Sequence, residues 1–112
     1  MQILKNNKIL VQNARFINPV KGLMFSRKLK NNQAVVLDVK NYSGAIHMLF
    51  VFFSIDVVWL DENYKVIDIK KNVKPFNLYV EPKSKPRYII ESNPNSFDFK
   101  IGDKLTFNQK KD

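Results

Sequence analysis

The sequence predicts a mainly β fold, a small barrel-like or sandwich-like single domain of about eight or nine short strands with at most one or two short helical turns. Three observations predict it. No segment sustains the apolar spacing of three, four and seven that an amphipathic helix needs. Short runs rich in Val, Ile, Phe and Tyr recur between clusters of Asn, Asp, Gly and Pro. The length of 112 residues suits one core, and a 45% hydrophobic content can fill it.

Residues 2–5 and 8–12 are read as a hairpin around Asn6-Asn7, because asparagine tolerates the left-handed backbone of a tight turn. Residues 15–17 continue as an extended piece up to Asn18-Pro19. Residues 19–27 combine an early proline and Gly22 with large apolar side chains, and read as an ordered loop or one helical turn. Strands follow at 33–39, 45–52 and 55–60, with turns at 41–44 and at Phe53-Ser54. Residues 55–60 and 65–70, joined by Asp61-Glu62-Asn63, form the clearest hairpin. Pro75, Pro82 and Pro86 confine any strand at 76–80 to an edge, since proline lacks a ladder donor. Residues 87–91 and 104–107 are the last strands, separated by a loop at 92–96 and a turn at Gly102-Asp103. The domain is thus expected to span residues 1–107, with a frayed tail at 108–112.

Composition removes several chemistries. With no cysteine, the chain has no disulfide, thiol nucleophile or cysteine-held metal. It contains no P-loop, dinucleotide fingerprint or Gly-x-Ser-x-Gly elbow, so no cofactor is expected. A lone histidine is a poor basis for a metal site, and none is expected. The longest apolar run, 45–60, contains His47, Ser54 and Asp56 and falls short of the ~20 residues of a spanning helix. Lysines and asparagines also interrupt the first eleven residues, which therefore do not read as a leader. A cytoplasmic protein with no membrane partner is the expectation.

The net charge of +9 is uneven: no acid precedes Asp38, so residues 1–37 carry seven positive charges. Such asymmetry favours anionic partners through long-range attraction. The lysines are dispersed, however, with no aromatic or arginine pattern beside them, and a solvated surface is the preferred explanation.

The segment Gly22-Leu23-Met24-Phe25-Ser26-Arg27, the His47-Met48 pair, Ile55-Asp56-Val57-Val58-Trp59-Leu60-Asp61, Lys65-Val66, Pro75, Tyr88-Ile89-Ile90-Glu91 and Gly102-Asp103 occur in an order that resembles the domain of unknown function 192 family, also called uncharacterised protein family 0127. The resemblance covers roughly residues 14–107, and the chain looks like an archaeal-like cytoplasmic member. It implies a compact, mostly β architecture and supplies no activity. Many bacterial relatives carry an aromatic-Met-Lys-Asn segment where this chain has Ile46-His47-Met48-Leu49-Phe50, and Pro-Leu-Asp where it has Ser54-Ile55-Asp56.

Five residues are candidate ligand contacts: Met24, Arg27, His47, Asp56 and Glu91. Met24 suits an irregular apolar pocket. His47 lies in the most apolar stretch, where an imidazole could act as a general base or a ligand contact. Asp56 interrupts an apolar strand and needs a partner, with Arg27 or Arg87 as the expected cation. Strand alternation puts Asp56, Val58 and Leu60 on one face, and Ile55, Val57 and Trp59 on the other. Glu91 ends another apolar strand, whereas Asp103 reads as a turn aspartate bonding its own backbone. Phe50, Phe52 and Phe53 read as core aromatics.

The leading expectation is a non-catalytic binding domain for a small anionic ligand, held in a partly apolar pocket rimmed by Arg27, His47, Asp56 and Glu91. The alternative is a hydrolytic enzyme using Asp56 or Glu91 with His47. An electrostatic nucleic-acid binder ranks third.

Overall fold

One strand buried on both faces organises the molecule. In the computed structural model, which describes residues 1–48, 50–77 and 79–109, the strand Ile55–Leu60 is buried at all six positions. Among the described residues there are eight strands and no helix. In chain order they are β1 Gln2–Lys5, β2 Lys8–Val11, β3 Asn13–Phe16, β4 Gln33–Asp38, β5 Ile55–Leu60, β6 Val66–Val73, β7 Tyr88–Ser92 and β8 Leu105–Asn108. They form a three-stranded sheet, β2-β1-β8, and a five-stranded sheet, β3-β4-β7-β5-β6. Neither sheet closes on itself. The sandwich half of the expectation therefore holds and the barrel half does not.

The expected alternation along β5 decides the layering. Ile55, Val57 and Trp59 join Val35, Leu37 and Ile89 on one face of the large sheet, covered by Leu23, Leu29, Met48 and Val51 from irregular chain. Val58 and Leu60 join Val36 and Ile90 on the other face, which meets Ile3, Val11 and Leu105 of the small sheet. Burying one such side chain contributes about 1.5–3 kcal/mol, so β5 anchors both layers at once.

Turn chemistry accounts for the hairpins. Asn6 and Asn7 have φ of 51° and 63°, as the β1–β2 turn requires. Asp61 closes the β5–β6 turn by accepting the N–H groups of Asn63 at 2.9 Å and Lys65 at 3.0 Å. The parallel pairing of β3 with β4 needs the long connection 17–32, where residues 19–25 form a loop of successive turns.

The described residues of the apolar run 45–52 do not form the expected strand. They curl over the large sheet, touching Val80 through a bridge at Ile46, and Phe50 takes a φ of 58°. Apolar content there reflects packing onto a sheet rather than membership of one. Phe50 and Phe52 are exposed, against the expected core placement, while Phe53 is half-buried on the core. Of the described residues in 76–80, Val80 alone forms a bridge. Asn108, assigned to the tail, pairs with Gln2 in the small sheet; residues 110–112 lie outside the described residues.

Candidate functional site

Irregular chain cannot pack as evenly on a sheet as a second sheet can, and a cavity of about 200 Å³ remains beneath it. Its floor is Leu37 of β4, Ile55 of β5, and Ile89 and Glu91 of β7. Its walls come from residues 19–23 and 42–48, together with Val51, and its polar side chains include Lys21, Tyr42, Ser43, His47 and Glu91.

The 42–48 wall is fixed from below. The buried Trp59 indole donates to the carbonyl of Gly44 at 2.8 Å. Gly44 has a φ of +81°, and a Cβ there would collide with the ring of Pro86. A side chain at position 44 would thus conflict with both backbone angle and space.

Glu91 is the unusual member. It pairs in register with Val35 on one side and Val57 on the other, which places its carboxyl on the apolar cavity face. It is 4% exposed, and its Oε1 has no hydrogen-bond partner. Burial pushes its pKa from 4.5 up to about 7, because the apolar surroundings disfavour the carboxylate. At neutral pH the group therefore stands between a neutral acid that can donate a proton and a carboxylate that can only accept.

The five expected residues separate. His47 and Glu91 line the same cavity, His47 from an exposed position. Met24 is half-buried and Arg27 exposed, just beyond the Lys21–Gly22–Leu23 portion of the wall, and neither lines it. Asp56 is absent from the lining and faces the other way. Its Oδ1 accepts the N–H of Asn72 at 2.8 Å; its Oδ2 accepts the N–H of Asn95 at 2.8 Å and Lys71 Nζ at 3.2 Å. Its cation is thus Lys71, not the expected Arg27 or Arg87. Arg87 instead grips Asp38 through two bonds of 2.9 and 3.1 Å, which hold the Asp38 pKa below its ordinary value. Asp103 behaves as a turn residue, accepting the Lys100 N–H at 2.8 Å, and also pairs with Lys5 at 3.0 Å.

Sequence reading missed Lys21, Tyr42 and Ser43 as cavity residues. The last two sit in a segment whose turn chemistry was the stronger signal. Among the described residues no cluster of His, Cys, Asp and Glu could hold a metal, and no helix is long and apolar enough to cross a membrane.

The class defined by the fold and the site is an open two-sheet β domain with a buried acid under irregular loops. The chain belongs to the family described as uncharacterised, domain of unknown function 192, whose model matches residues 5–107. A UPF0127 protein of Pyrococcus horikoshii is 36% identical over 94 residues, covering 80% of this chain and 79% of that protein. A UPF0127 protein of Thermococcus kodakarensis is 38% identical over 77 residues, 68% of this chain and 48% of its own length. The chain thus spans about half of some curated relatives. A solved protein of unknown function from Novosphingobium aromaticivorans shares the fold with a TM-score of 0.82 at 16% identity, covering 95% of this chain and 82% of that one.

Proposed function

We propose that the chain is a binding domain for a small organic anion, with the cavity above Glu91 as its site. One observation carries this reading: a buried carboxyl oxygen without a partner lines a partly open cavity with both polar and apolar walls. An unpartnered buried polar atom costs about 1–3 kcal/mol, which a ligand offering the missing bond would offset. A dry cavity of ~150 Å³ accommodates benzene, so this one suits a compact body of about that size with a small substituent. Lys21 and His47 line the same cavity and suit an anionic group, while Glu91 suits a hydroxyl or carbonyl.

The probe that fits this description is 4-hydroxybenzoate. Titration followed by Trp59 fluorescence and thermal shift is expected to give saturable binding, weakened in Glu91→Ala and in Lys21→Ala. No saturable binding of this probe, or of a panel of small aromatic and branched carboxylates, overturns the reading.

Acid–base chemistry is the second reading, favoured by a Glu91 pKa of about 7 beside a cavity that also contains His47. It is tested by comparing wild type with Glu91→Gln on a panel of activated esters; equal rates eliminate it. Asp56 is unsuited to the same role, because three donors already occupy its carboxylate.

A further inference from the structure

A second concave surface lies along the outer edge of the large sheet and shares no residue with the Glu91 cavity. Edge strand β6 ends in Lys70-Lys71-Asn72-Val73, and the chain continues through Lys74, Pro75, Phe76 and Asn77 to the Ile46–Val80 bridge. A groove of about 450 Å³ results, lined by three lysines, Asn72, Asn77 and Tyr79, with Glu81 as its one acid. Lys71 is engaged by Asp56, whereas Lys70 and Lys74 make no ion pair among the described residues. Tyr79 is 63% exposed, and its hydroxyl donates to Glu81 at 3.0 Å, which holds both ring and acid in place.

Aromatic surface extends beyond the groove. Phe76 and Phe52 are 50% and 60% exposed and meet edge to face at 5.5 Å. Phe25 and Phe50 stack at 4.7 Å, joined by the Phe25 N–H donating to the Phe50 carbonyl at 2.9 Å. The Phe76 N–H donates to the Met48 carbonyl at 3.0 Å, which keeps these segments adjacent. Phe25, Phe50 and Phe76 all adopt left-handed backbone, at φ of 60°, 58° and 63°. Bulky residues rarely adopt this conformation, and here it accompanies rings left in water. Charge runs the same way. Residues 19–30, 40–54 and 69–80 contain eight lysines and arginines and no acid.

We propose that this edge binds single-stranded nucleic acid, with phosphates along Lys70 and Lys74 and bases stacked on Tyr79, Phe76 and Phe52. A cationic groove beside exposed rings matches the two requirements of such a ligand, backbone neutralisation and a face for unpaired bases. Duplex DNA keeps its bases stacked on each other and has no use for the rings. A flat bilayer would meet the phenylalanines but not lysines set in a groove.

The test is fluorescence anisotropy of the full chain with a labelled oligothymidylate of about fifteen nucleotides. Binding is expected to weaken roughly sevenfold between ~50 and ~200 mM NaCl, the slope for two neutralised phosphates on a single strand. The Lys70→Glu/Lys74→Glu pair and Tyr79→Ala are each expected to weaken it at least about tenfold. Glu81→Gln, which removes the groove's one opposing charge, is expected to tighten it. Circular dichroism melts of each variant separate lost binding from lost fold. Equal affinity for a duplex of the same length, indifference to all of these substitutions, no binding, or cosedimentation with phosphatidylglycerol vesicles in place of oligonucleotide binding would each overturn the proposal.

Discussion

Asp56 and Glu91 lie on adjacent antiparallel strands, one register step apart, and their carboxyl groups leave the sheet in opposite directions. Asp56 pairs with Ser92 and Glu91 with Val57, so the pleat alone separates them. One carboxylate is saturated by three donors and ties β6 to the loop after β7. The other retains an unpartnered oxygen in a cavity. Two acids that look alike in sequence thus divide into a structural group and a candidate contact.

Removing Asp56 strands two backbone donors, those of Asn72 and Asn95. Asp56→Ala is expected to cost about 2–4 kcal/mol, as losses of buried hydrogen-bond partners do. Lys71→Met should cost less than about 1 kcal/mol, because that side chain is half exposed and its pairing is screened. Urea denaturation followed by the single tryptophan distinguishes them; equal losses would refute this division of roles.

Stability should depend on pH through Glu91 with a definite sign. Its folded pKa of about 7 exceeds the ordinary 4.5, so the folded state holds the extra proton between those values. The stabilisation is complete below about pH 4.5 and disappears as pH rises through 7, a loss on the order of 3 kcal/mol. Asp38 acts in the opposite sense: Arg87 depresses its pKa, so its contribution is present above 3.8 and lost as pH falls through the lower folded value. Denaturation between pH 5 and 8.5 should show declining stability in wild type and a flatter profile in Glu91→Gln. Parallel profiles would contradict the assignment.

Ligand affinity should carry the same proton. A ligand that accepts a hydrogen bond from neutral Glu91 is expected to bind about tenfold more tightly at pH 6 than at pH 8, since the protonated fraction changes by that factor around a pKa of 7. Glu91→Gln keeps a donor that does not titrate, and calorimetry of that variant should show no such dependence. A wild-type affinity constant across this range would exclude Glu91 as the donor.

Gly44→Ala is expected to destabilise the domain by roughly 2 kcal/mol or more, combining a positive-φ penalty with the collision at Pro86. Trp59 bonds the same carbonyl, so its emission should shift red before global unfolding. Unchanged emission and stability would mean that the cavity wall tolerates movement at this point.

The regular part of this architecture was legible in the sequence. Alternation along β5 assigned both faces correctly, and Asn6-Asn7 and Asp61 marked their turns through side-chain chemistry that acts locally. Residues 45–52 misled because an apolar run records burial, not the hydrogen-bond partner of its backbone. Phe50 is exposed through a left-handed turn that a phenylalanine does not advertise. The salt-bridge partner of Asp56 was equally hidden: Lys71 becomes its neighbour only when β6 pairs beside β5, and a nearby lysine gives no more signal than a distant arginine. His47 and Glu91 were candidates on the sequence alone; the cavity they share follows from loops crossing a sheet, a relationship between segments far apart in the chain.

The pairing of β1 with β8 sets the order in which the molecule can mature. Ile3, wholly enclosed in the finished protein, lies on a strand with β2 on one side and β8 on the other. During synthesis the first hairpin must therefore wait, with a greasy flank uncovered, until residues 105–108 have left the ribosome. Closing so wide a span is entropically slow, which makes this small sheet a late event and a vulnerable interval for self-association.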